Sequence, residues 1–90
     1  MKIVQTKQFH RVVKKLHANQ KRDLDCAVKS VIADVYIGEI KVGDLAGIRV
    51  HKFNMAGQHT LLAYTVDENV LVLTLLTLGT HENFYRDLKR

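Results

Sequence analysis

The run Val70-Leu71-Val72-Leu73-Thr74-Leu75-Leu76-Thr77-Leu78 constrains this chain more than any other feature. It is too short to cross a bilayer as a helix, which takes about 20 apolar residues. An apolar stretch of this length, with Asp67-Glu68-Asn69 before it and Gly79 after it, reads as a buried strand closed by turns. The stretch Met1 to His10 has no signal-peptide apolar region. The expectation is a soluble protein of the reducing cytoplasm with no membrane partner, in keeping with the single cysteine, Cys26, which cannot form an internal disulfide.

Burying such a strand needs a core, and the composition sets its size. A chain of 90 residues that is 47% hydrophobic makes one domain, residues 1–90, with a single modest core. Lys and Arg total 14 against 9 Asp and Glu, a formal charge of +5 that favours a polyanionic partner: nucleic acid, an anionic membrane surface or an acidic protein. Cys26 falls at a helical position with no clustered Cys or His spacing for zinc, and reads as a small core or boundary side chain.

The chain contains no proline, and its glycines, at 38, 43, 47, 57 and 79, concentrate the turn signals in the second half. Lys2-Ile3-Val4-Gln5 reads as a short strand. Thr6 then offers a cap for a helix whose apolar positions Phe9, Val12, Val13 and Leu16 follow the i, i+3, i+4, i+7 template. Asn19 is the expected cap of a longer helix with Leu24, Val28, Val31, Ile32 and Val35 on one stripe. Downstream, Ile48 to Asn54 alternates, Met55-Ala56-Gly57-Gln58 is a turn, His59 to Val66 a strand, and Val70 to Leu78 the last strand. The predicted fold is α+β, ordered β-α-α-β-β-β: an antiparallel meander with two amino-terminal helices on one face, ending in a short helix or turn.

Candidate functional residues follow from the period-two rule. If Ile48 and Val50 point to the helices, then Arg49, His51 and Phe53 point to the open face. Lys52 is out of phase with them and reaches that face only at a bulge or strand end. His59 is placed opposite His51, while His81 and Tyr85, four apart, share one side of a terminal helical turn. These groups suit RNA cleavage by a neighbouring 2′-hydroxyl, which needs a base, an acid for the leaving oxygen and fixed positive charge on the phosphate. His81 is the leading acid–base candidate, with His51 or His59 as its complement. Tyr85 would orient the hydroxyl or stack on a base, and Arg49, Lys52 and Arg86 would bind phosphate. Simpler roles stand beside these: His81 as a cap or solvated residue, His51 and His59 as an exposed cross-strand pair, Arg49 and Lys52 as ordinary surface cations. Phe84 is assigned to anchoring the terminal segment on the sheet.

The order and spacing of several short segments resemble the RelE/ParE superfamily of small bacterial toxins over essentially the whole chain. Those segments are the two amino-terminal helices, Gly43-Asp44-Leu45-Ala46-Gly47, Ile48-Arg49-Val50-His51-Lys52, Tyr64-Thr65-Val66-Asp67-Glu68 and Leu78-Gly79-Thr80-His81-Glu82-Asn83-Phe84-Tyr85. The resemblance implies the toxin of a toxin–antitoxin pair. Many members are ribosome-dependent endoribonucleases that cut messenger RNA, whereas the ParE branch poisons DNA gyrase. The Gly-Thr-His ending followed four residues later by an aromatic is closer to the RNA-cleaving branch. Two positions depart from that branch: Leu61 stands where many members carry an arginine three residues before the strand tyrosine, and Glu82 follows His81 where a basic residue is common.

The reading that results is a metal-independent endoribonuclease without cofactor, acting on messenger RNA at the ribosome. Its protein partner would be a cognate antitoxin, in a toxin–antitoxin hetero-oligomer. The alternatives are a gyrase inhibitor without nuclease activity and a non-catalytic basic binding module.

Overall fold

The computed structural model describes residues 1–88, other than the side chains of His81, Glu82, Asn83 and Asp87. The elements run β1 (Lys2–Gln5), α1 (Lys7–Lys14), α2 (Ala18–Ala33), β2 (Glu39–Ile40), a 3-10 turn (Gly43–Leu45), β3 (Arg49–Met55), β4 (Gln58–Asp67), β5 (Val72–Gly79) and α3 (His81–Leu88). They form the expected α+β architecture around one five-stranded sheet of order β1-β5-β4-β3-β2. The meander β2 to β5 is antiparallel, but β1 pairs parallel with β5, Lys2 beside Val72 and Gln5 beside Leu75, so the sheet is mixed. The two-residue strand β2 was not among the expected elements; pairing Glu39 with Val50 and Ile40 with Arg49, it borders β3.

Local chemistry sets the helix ends. The Thr6 hydroxyl accepts the Phe9 N–H at 3.1 Å and donates to the Leu76 carbonyl at 2.6 Å, so the expected cap also fastens α1 to the last strand. The second helix begins before Asn19. Its cap is His17, whose N–H donates to Gln20 Oε1 at 2.8 Å, while Asn19 lies in the first turn and accepts the Gln20 N–H at 3.0 Å. Ala56 and Gly57 both take positive φ, 51° and 83°, giving a two-residue hairpin whose twist matches the flanking strands.

The sheet is covered on both faces. Under α1 and α2, Phe9, Leu24 and Val31 pack with Met55, Leu62, Tyr64, Leu73, Leu75 and Leu78. On the opposite face Val50, Leu61 and Ala63 pack with Phe84 of α3, and Ile48, Leu76, Tyr85 and Leu88 join them. Phe84 is 1% exposed and performs the anchoring expected of it. Within α2, Ile32 is exposed and Ala27 is buried, a shift of the expected stripe. Cys26, expected in the core or at its boundary, is exposed.

The second layer overturns the expected facing of β3. Phe53 and Met55 join the core under α1 and α2, so Arg49 and His51, in phase with them, also stand on that face. Ile48 and Val50 point to α3. The apolar residues of β3 occupy both phases because both faces are roofed, so the phase of Ile48 and Val50 does not mark the face under the helix pair.

Candidate functional site

The register of β3 and β4 decides which candidates meet. His51 lies opposite Leu62, and His59 lies opposite Asn54. The two histidines are therefore on opposite faces, and the expected cross-strand pair does not form. His51 is half-buried and its ring stacks with that of Phe53, centroids 6.2 Å apart and 5° from parallel. Burial holds its imidazole below the ordinary histidine range.

Arg49 is likewise on the α1/α2 face, and its guanidinium is engaged there. Nη1 donates to the Gly38 carbonyl at 2.9 Å and to the Tyr36 carbonyl at 3.5 Å, and the cation lies 4.9 Å from the Tyr36 ring centroid. The Tyr36 hydroxyl in turn donates to Glu68 Oε1 at 2.5 Å, and that bond raises its phenol above the ordinary range. Arg49 thus fastens the segment that follows α2 to the sheet, apart from the groups on the α3 face.

Two of the candidates do converge. Lys52 and His59, diagonal neighbours on the α3 face of the hairpin, line one cavity of about 200 Å³ with Thr60 and Leu61. Lys52 needs no bulge to reach this face, because the face opposite the helix pair is the one with its phase. Leu61 is directly across the ladder from Lys52, so a cation stands beside the position where the resemblance led to an arginine being expected. Leu61 also belongs to the apolar cluster that carries α3, which connects the cavity to that helix.

On α3, Tyr85 is half-buried, edge-on to Phe84 with centroids 5.0 Å apart and planes at 87°. Arg86 is exposed in the last turn. The side chain of His81 lies outside the described residues. Lys41 was not among the expected site residues. Its ammonium is 5.9 Å from the Tyr85 centroid and 3.6 Å from Glu39 Oε1, and its side chain is only 21% exposed. The alternation Glu39-Ile40-Lys41 ahead of Gly43 was the available signal for a short edge strand that carries it there. Among the described residues, no three histidine, cysteine or acidic side chains gather as metal ligands, and no helix is long and apolar enough to cross a membrane.

Comparison with known proteins adds to this geometry. A family model described as the ParE-like toxin of type II bacterial toxin–antitoxin systems matches residues 3–89. No curated protein sequence matches the chain. Among solved structures, a YoeB/ParE toxin from Agrobacterium tumefaciens superposes with a TM-score of 0.74 at 17% identity, covering 90% of this chain and 99% of that one. The toxin–antitoxin complex RelBE of E. coli gives 0.70 at 15% identity, covering 88% and 94%. The RelBE2 complex of Mycobacterium tuberculosis gives 0.69 at 18%, covering 89% and 96%. At these identities the likeness to solved structures is one of fold.

Proposed function

The chain belongs to the ParE-like toxins of type II bacterial toxin–antitoxin systems, and from that premise we propose that it acts by cutting messenger RNA on the ribosome. The cut would be made by attack of a 2′-hydroxyl on the adjoining phosphodiester, and it would take place in the cytoplasm. One observation carries this reading: Lys52 and His59 share a cavity on the sheet face that also bears α3. An ammonium and an imidazole lining one small volume would supply phosphate binding and proton transfer together. Tyr85 and Arg86 on α3 would orient the ribose and hold a flanking phosphate, and His81, at the start of α3, would be the second proton-transfer group. Arg49 and His51 take no part in this version of the site. The ribosome would hold the RNA in a reactive geometry, which explains how few protein groups could suffice.

A cognate antitoxin is the proposed protein partner. RelBE and RelBE2, which share the fold, are themselves toxin–antitoxin complexes.

Gyrase inhibition is the second reading. It is favoured by Leu61, which is buried and apolar, and by the placement of Arg49 and His51 away from α3. The deciding experiment is brief induction followed by mapping of messenger RNA 5′ ends, with supercoiling assays in parallel. Codon-phased cuts that disappear in His59→Ala and His81→Ala support cleavage. Intact transcripts together with inhibited supercoiling in both variants would replace it with the gyrase reading.

A further inference from the structure

Charge is distributed very unevenly along the chain. Lys2, Lys7, Arg11, Lys14, Lys15, Lys21 and Arg22 all precede Asp23, the first acidic residue, so half of the 14 lysines and arginines fall in a segment with no acidic side chain. Helix α1 sorts these cations spatially. Phe9, Val12, Val13 and Leu16 lie against the core, whereas Lys7, His10, Arg11, Lys14 and Lys15 are exposed on its outer side. Lys7, Arg11 and Lys14 follow the i, i+4, i+7 spacing of one helical stripe, about 10 Å long at about 1.5 Å per residue. Among the described residues no ion pair involves a cation of α1; the pairs present are Lys29 with Asp25 and Lys41 with Glu39. At the head of the stripe, Lys7, His10 and Arg11 line a concave surface of about 540 Å³ with Gln5 and Thr6.

We infer that the outer face of α1 is a second, separate binding surface, and that its ligand is the phosphodiester backbone of nucleic acid. The composition of the stripe selects this partner over an acidic protein. A protein partner is held chiefly by buried aromatic and apolar anchors, with ion pairs at the rim adding little, and this face presents cations with no exposed apolar side chain among them. A polyphosphate needs only cations, because the favourable step is release of its condensed counterions. The surface is on the opposite side of the sheet from α3, so it would grip a backbone without occupying the Lys52–His59 cavity. In that arrangement the protein would be held by one stretch of nucleic acid while the α3 face stays open to another. The inference stands apart from the cleavage reading, since binding here requires no chemistry.

The test is fluorescence anisotropy of the full chain titrated onto a labelled short RNA duplex, and onto the DNA duplex of the same sequence, from about 50 to 200 mM salt. The variant is Lys7→Gln/Arg11→Gln/Lys14→Gln, which keeps good helix formers on an exposed face, with Lys29→Gln as the control. Circular dichroism confirms that both are folded. The expected result is that the triple variant flattens the dependence of log Kd on log salt by about 2.7, close to 0.9 for each phosphate no longer neutralised. At low salt it should also bind at least tenfold more weakly, while the Lys29→Gln control binds like the parent. A stronger effect on the RNA duplex than on the DNA duplex would identify RNA as the source of the backbone, and the reverse would identify DNA. Equal binding and equal salt slope in parent and triple variant would overturn the inference. So would a triple variant that binds both duplexes normally but no longer binds its antitoxin, which would make the face a protein-docking surface.

Discussion

Arg49 and Tyr64 stand opposite each other in the β3–β4 ladder, and both hold the short segment that follows α2. The buried Tyr64 hydroxyl donates to the Val35 carbonyl at 2.8 Å and accepts the Gly38 N–H at 2.9 Å, while Arg49 takes the Gly38 carbonyl. Burial raises the Tyr64 phenol above its ordinary range, so the hydroxyl keeps its proton and remains a donor.

Tyr64→Phe should lower stability by about 1–3 kcal/mol, because it leaves a buried N–H and a carbonyl without their partner. Gly38→Ala should cost a similar amount, about 1–3 kcal/mol for overpacking. A Cβ at that position would be 2.6 Å from Tyr64 Oη and 2.8 Å from Cε1. Because the ring carbon remains after the hydroxyl is removed, the double variant should be less destabilised than the sum of the two, though not restored. Urea unfolding of all four proteins measures the coupling.

Arg49→Ala and Lys52→Gln should have opposite signatures. The first removes the Gly38 anchor and should lower stability by about 1–3 kcal/mol while leaving the cleavage rate per folded molecule unchanged. The second alters an exposed residue and should leave the melting temperature unchanged, yet reduce cleavage about 10²–10³-fold by removing fixed positive charge from the proposed site. Thermal melts and cleavage kinetics on programmed ribosomes separate the two.

Burial favours neutral His51 in the folded state, whereas in the unfolded chain a histidine titrates near pH ~6.5. As pH falls the unfolded chain takes up this proton first. The contribution of His51 is therefore fully present above about pH 6.5 and is lost as pH drops from there toward the folded-state pKa. Urea unfolding from about pH 8 to about pH 5 should show this decline, and His51→Leu should reduce it.

Ala56 occupies a left-handed conformation at φ 51° in the β3–β4 turn, where an alanine Cβ is disfavoured. Ala56→Asn suits that conformation and keeps the backbone N–H that donates to Asp23 Oδ2 at 2.7 Å. It should raise stability by about 0.5–1 kcal/mol, read as an increase in melting temperature.

The helices and the meander were legible because their signals are local. Thr6 caps where a capping residue precedes an amphipathic stripe, and Ala56-Gly57 turns where two alternating strands meet. The facing of β3 was not legible from periodicity, because α3 makes the second face apolar as well. Ile48 and Val50 then satisfy one layer while Phe53 and Met55 satisfy the other. The parallel pairing of β1 with β5 brings residue 2 beside residue 72 and has no local signature. The same limit applied to the site: Lys52 and His59 meet only because the register puts them diagonal on one face, and Lys41 reaches Tyr85 through a strand of two residues.

The position of β5 in the sheet has a consequence for synthesis. It follows the other four strands of the sheet in sequence, yet β1 and β4 hydrogen-bond to its two edges, α1 packs on one of its faces and α3 on the other. A nascent chain that has not passed Val72 leaves β1 unpaired, β4 with a bare edge and the apolar underside of α1 with no floor. The contacts that complete the fold are therefore nonlocal and form only after β5 has been made. Products terminated before that strand cannot complete the sheet, so harm to the cell would come only from chains translated past β5.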